Sequence, residues 1–173
     1  MKWAELINIP IGNSIEKDQL KEMIPQKGKM FLLDRVTSYS LEDNELTSQV
    51  EIKDSNIFYR PEIKGIPSWA VFEMMAQSIA ALSSIKKIKE KDPVEPLPGV
   101  ILTLSKFKAE INTFSSEKTI TIKVKENFNS DGLCCYDCIA FTDENKNLSV
   151  KTQITAMEIK DMQKMFEKKD CNS

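Results

Sequence analysis

The sequence predicts an α+β fold in which a curved antiparallel sheet wraps around one long central helix. Three observations predict it. Two strand-like segments precede a helix that is apolar on every side, four more strand-like segments follow it, and short polar turns separate those strands. A helix without a polar face must be surrounded, and one strongly curved sheet achieves this with few elements.

Asn13 followed by Glu16 has the pattern of a helix amino-terminal cap, with Leu20, Met23 and Ile24 on one face before Pro25 ends the run. Met30 to Val36 and Leu46 to Ile52 read as two strands paired as a hairpin through the turn Glu42-Asp43-Asn44. Leu46, Ser48, Val50 and Ile52 alternate on one face. The segment from Pro67 to about Lys86 has the length of a long helix, with Ala, Met, Leu and Ile all round. The proline-interrupted connection that follows cannot continue it. Val100 to Ile111, Thr119 to Lys125, Leu133 to Phe141 and Leu148 to Met157 then read as an antiparallel meander. Ile159, Met162 and Phe166 suggest a short closing helix. Residues 1–168 are expected to form a single domain and residues 169–173 a disordered tail.

The chain has 173 residues, of which 41% are hydrophobic and 29% charged, the range of one ordinary globular domain. A formal net charge of -2 supplies no positive field, so nucleic-acid binding is not expected. Ser68, Glu73, Gln77, Ser78, Ser83 and Ser84 interrupt the longest apolar stretch, Ile66 to Ile85, and argue against membrane insertion. Glu5 and Pro10 break the first apolar run before it reaches signal-peptide length, which points to the cytoplasm. Cys135 and Cys138 form a nominal C-x-x-C, but residues three apart on a strand face opposite ways and cannot share one ion. No metal or cofactor is expected, and reduced thiols suit the cytoplasm.

Two strands, a buried helix and four strands define the hotdog architecture. IPQKGKMFLLDRV from Ile24, GIPSWAVFEMMAQSIAAL from Gly65 and GVILTLSKFKAEI from Gly99 resemble the 3-hydroxyacyl carrier-protein dehydratase family, and most its aryl-polyene-cluster branch. Pro67, Trp69, Glu73, Met75, Ala76 and Gln77 fall in the family's register on the central helix. The resemblance implies a histidine base acting beside a helix carboxyl acid, with amides at the helix start holding the thioester oxygen. It also implies pockets completed across a subunit interface.

The carboxyl position is Glu73, and Ser68, Trp69 and Ala70 match the oxyanion position. The histidine position is Tyr59, flanked by Arg60 and Pro61, and a second family histidine is Gln26 here; the chain has no histidine at all. A tyrosine near its ordinary pKa of about 10 is a poor base at neutral pH.

Each candidate has a plainer alternative. Glu73 is a catalytic or substrate-binding carboxyl, or one satisfied by hydrogen bonds or a dimer partner. Gln77 is expected to hold the loop containing Tyr59, and Tyr59 either lines the pocket or decorates the surface. Lys106 matches a basic-aromatic pair of the family; the alternative is an alternating strand with Lys106 outward and Phe107 inward. Asp34 and Arg35 are expected to form an ion pair that supports the fold.

The chain is therefore read as an acyl-thioester-binding protein of dehydratase type, its ligand carried on acyl carrier protein or coenzyme A. Retained dehydratase activity, a non-catalytic subunit completing an intact partner, and an acyl thioesterase are the three functions open to this fold. One uncovered sheet edge predicts a homodimer or a heterodimer with a related hotdog subunit.

Overall fold

The computed structural model describes residues 2–96 and 99–159. Its elements are α1 (Trp3–Leu6), β1 (Ile15–Glu16), α2 (Lys17–Met23), β2 (Arg35–Ser40), β3 (Glu45–Glu51), β4 (Gly65–Pro67), α3 (Val71–Glu90), β5 (Gly99–Ala109), β6 (Thr113–Ser115), β7 (Thr119–Ser130), β8 (Leu133–Thr142) and β9 (Asn145–Glu158). The expected closing helix and tail lie outside the described residues, apart from Ile159, which is buried.

Seven strands form one antiparallel sheet in the order β1-β2-β3-β7-β8-β9-β5. Alternation decides which face turns inward. Leu46, Ser48 and Val50 of β3, Ile120, Ile122 and Val124 of β7, and Cys134, Tyr136, Cys138 and Ala140 of β8 are all buried. The helix α3 packs against this face over β3, β7 and β8. Its Ser78 hydroxyl donates to the Met74 carbonyl at 2.8 Å and meets the Ser48 hydroxyl at 2.7 Å, so the small polar groups in the core are satisfied.

The expected hairpin is present as β2 and β3. The first strand, however, starts at Arg35 rather than Met30, because the backbone groups of Met30 and Leu32 bond to a side chain of α3 instead of a neighbouring strand. Asn13 does not cap a helix: Ile15 and Glu16 pair with Val36 and Arg35 as β1, and α2 starts only at Lys17. The long helix extends to Glu90, beyond the expected Lys86, and ends where Lys91 adopts the left-handed conformation, φ 53°.

The four later strands are not a simple meander. β7, β8 and β9 follow one another, but β5 joins the far edge beside β9, because α3 crosses the sheet and delivers the chain there. Two irregularities interrupt the β5–β9 register, between Ile101 and Thr103 and between Ser105 and Lys108. At the second, Lys106 takes φ 53° and Phe107 is 48% exposed. The expected inward Phe107 is thus overturned, since the extra residue of a bulge breaks the alternation.

The expected Asp34–Arg35 pair is not made. Lys17 bonds Asp34 at 2.5 Å, Asp34 also accepts the Glu51 amide at 2.8 Å, and Arg35 turns to Gln49 at 2.8 Å. Cys134 and Cys138 point inward while Cys135 is only partly covered, as strand alternation requires. Among the described residues no group of His, Cys, Asp or Glu gathers as a metal site, and no helix is long and apolar enough to cross a membrane.

Candidate functional site

The start of α3 is positioned by a second, two-stranded sheet in which β4 pairs with β6. Gly65 is required there, because a β-carbon would drive into the Phe114 carbonyl. Pro67 leads into a single 3-10 turn, Ser68–Ala70, which continues directly into α3. Ser68, Trp69, Ala70, Glu73 and Gln77 are thus brought together on about three turns of one chain segment.

Their surroundings differ along that line. Trp69 is 46% exposed and stands edge-on to Phe58, with ring centroids 5.8 Å apart. Glu73 is half-buried, and Gln77 is fully buried. The Gln77 Nε2 donates to Glu73 Oε1 at 3.0 Å and to the Met30 carbonyl at 2.7 Å, while its Oε1 accepts the Leu32 amide at 2.9 Å. Gln77 therefore holds the segment before β2, not the loop containing Tyr59 as expected. The Ser68 amide, one of the three expected at the oxyanion position, donates instead to the Asn112 carbonyl at 2.9 Å. Trp69 is then the first residue of the turn whose amide that bond does not occupy.

Tyr59 follows Phe58, the ring that meets Trp69, so its loop packs against the helix start. Its own side chain lines a different recess, of about 500 Å³, with Glu51, Lys53, Asp54 and Lys118 among its neighbours. Lys106 stands exposed on the β5 edge and belongs neither to that recess nor to the second cavity.

The second cavity, of about 600 Å³, opens beside α3. Ala76, Ala80 and Ser83 form its helix wall, on the same side as Glu73 by helical spacing. Ile101, Ile154 and Tyr136 form its sheet wall, and Gln26 lies on the segment closing it. The sequence carried no signal for this space, because segments far apart in the chain bound it.

Tyr136 is buried and hydrogen-bonded to Glu126 at 2.9 Å; burial and the Glu126 charge push its hydroxyl well above the usual phenol range. Lys86 pairs with the same Glu126 at 2.7 Å. Burial raises the Cys134 thiol and pushes Cys138 up to about 12, so neither is a thiolate near neutrality.

A seven-stranded antiparallel sheet around one central helix, with a carboxyl on that helix's first turn, is the hotdog class of α+β protein. Residues 18–167 match the ApeP-like family, described as ApeP dehydratase, and the chain belongs to that family. The ApeI:P dehydratase heterocomplex from Xenorhabdus doucetiae is similar in structure, with a TM-score of 0.74 and 19% identity over 84% of this chain and 93% of that one. The PaaI protein of the E. coli phenylacetic acid degradation operon matches at TM-score 0.52 and 10% identity, over 73% of this chain and 79% of its own. Cj0977, a sigma28-regulated virulence protein from Campylobacter jejuni, matches at 0.53 and 9%, over 83% and 90%. At these identities the likeness is one of fold. A search of curated proteins finds none that matches the chain.

Proposed function

We propose that the chain is an acyl-thioester-binding subunit of a two-subunit hotdog dehydratase, contributing Glu73 to a site whose histidine comes from the partner. The observation that carries this reading is a carboxyl held on the helix start by Gln77 at 3.0 Å in a chain without histidine. A carboxyl can protonate a departing 3-hydroxyl, but the proton next to the thioester carbonyl needs a base that is free at neutral pH. The thioester, on acyl carrier protein or coenzyme A, places its carbonyl at the Trp69–Ala70 turn, where the helix dipole favours developing negative charge.

The open edge supports a partner. Leu104 of β5 lies opposite buried Ile154 on the inward face, yet it is 44% exposed because α3 covers β3, β7 and β8. Leu102 and Phe107 add 49% and 48% exposure along the same strand. An apolar strand edge of this length is a ready docking surface for a second sheet.

The test is to incubate the purified chain with a 3-hydroxyoctanoyl carrier-protein thioester, alone and with a histidine-bearing hotdog subunit, and to follow loss of water by mass spectrometry. Turnover is expected only in the mixture. Equal turnover by the chain alone would overturn the shared-site reading.

A further inference from the structure

We infer that the outer face of the sheet carries a docking row for an acidic amphipathic helix of a partner protein, apart from the thioester site. The row follows from the strand register. Lys123 of β7 lies opposite Ile139 of β8, Ile139 lies opposite Lys151 of β9, and Lys151 lies opposite Lys108 of β5. The adjoining residues Ile122, Val124, Ala140 and Val150 are buried on the inward face, so by alternation the row points away from α3 and Glu73. All three lysines are exposed, and Ile139 between them is partly covered.

The adjacent row shows the usual balance of charge. Glu45, Lys125 and Asp137 stand opposite one another in turn, and Asp137 also accepts from the Gln153 amide at 3.1 Å. The lysine row contains no acid. Lys108 turns along its own strand to Glu110 at 2.7 Å, whereas Lys123 and Lys151 have no hydrogen bond or ion pair among the described residues. Like charges directly opposite, as in Lys108 and Lys151, cost stability. An anionic partner removes that cost.

Spacing decides the partner's shape. Neighbouring strands lie about 4.8 Å apart, so Lys123 and Lys151 are about 10 Å apart across β8. Two acids seven positions apart on a helix are separated by about 10.5 Å on one face, and an apolar side chain between them meets Ile139. An extended acidic segment fits less well, since its same-face positions recur at about 7 Å and about 13 Å. The net charge of -2 and the acids of the adjacent row disfavour an anionic membrane or a nucleic acid.

The probe is an alanine-rich helical peptide of about 20 residues, with two glutamates seven positions apart and a leucine between them. It is titrated into the full chain at low salt and followed by NMR at the Ile139 methyl groups. A control peptide of the same composition has its glutamates five positions apart, on different faces of the helix. Saturable shifts are expected with the probe. Binding is expected to weaken about fivefold to tenfold in a variant carrying both Lys123→Gln and Lys151→Gln, and to change little in Lys125→Gln. Lys151→Gln alone is expected to melt no lower than the native chain at low salt, since a like-charge contact is gone. No saturable shift with the probe, equal binding of the control peptide, or an equal loss in Lys125→Gln would overturn the inference. A lower melting point for Lys151→Gln would make the row a stabilising feature and overturn it as well. Binding to phosphatidylglycerol vesicles in place of the peptide would assign the row to a membrane and overturn the protein partner.

Discussion

Gln77 and Glu73 are one helical turn apart, and the Gln77 Nε2 donates to the Glu73 carboxylate at 3.0 Å while the same side chain holds Met30 and Leu32. The carboxyl is thereby aimed by the segment that precedes β2. Gln77→Leu keeps the volume but leaves the Met30 carbonyl and the Leu32 amide without this partner. A loss of about 2–4 kcal/mol is expected, since each buried group left unpaired costs about 1–3 kcal/mol. Urea unfolding followed by tryptophan fluorescence measures it; a variant as stable as the native chain would show that the segment finds other partners.

Glu73→Gln is expected to behave differently. It preserves shape and a hydrogen-bonding group beside Gln77, so stability should change by less than about 1 kcal/mol. Turnover in the mixture with a histidine-bearing subunit should fall about a hundredfold or more, the usual scale of a lost proton-transfer group. Undiminished turnover by a well-folded variant would make Glu73 a purely structural carboxyl.

The sheet was legible because its inward positions are apolar at every second residue, as in Leu46, Val50, Ile120 and Ile122. The helix was legible because no polar face interrupts it. What escaped the sequence depends on pairing at a distance. Met30 to Asp34 has strand composition, but Gln77, more than forty positions along the chain, claims its backbone groups. Phe107 reads as inward until the bulge beside Lys106 shifts the phase. The candidate site was legible at Glu73, the only charged residue between Gly65 and Ile85. The cavity beside α3 lacked such a mark, because its walls come together only when the sheet closes on the helix.

The buried thiol of Cys138 makes stability sensitive to alkaline pH. Burial, with smaller contributions from Asp137 and Cys135, raises it from an ordinary 9.0 to about 12. The unfolded chain therefore releases this proton at lower pH than the folded chain. Stability is fully present below about pH 9 and declines between about pH 9 and 12, at up to roughly 1.4 kcal/mol per pH unit. Between pH 8.5 and 11 the native chain should lose about 2–3 kcal/mol more than Cys138→Ala, although the variant starts lower because of its cavity. Parallel pH profiles for the two proteins would show that Cys138 does not carry this proton linkage.

Tyr59→His tests whether the loop before β4 still points where a base is needed. Phe58 meets Trp69, so the loop is docked on the helix start, but Tyr59 itself lines the recess beside Glu51 and Lys53. If pockets are completed across a subunit interface, position 59 serves a carboxyl of the neighbouring subunit rather than Glu73 of its own chain. A histidine there supplies a base with a pKa near neutrality, where tyrosine's ordinary value of about 10 does not. In an assembly of this chain with itself, where the native chain is expected to show no turnover, Tyr59→His is expected to create measurable water loss from 3-hydroxyoctanoyl carrier protein. Tyr59→Phe is expected to leave the native level unchanged, because it removes only the hydroxyl. If Tyr59→Phe abolished a robust native turnover and Tyr59→His added none, the tyrosine itself would be the catalytic group, and the partner's histidine would be unnecessary.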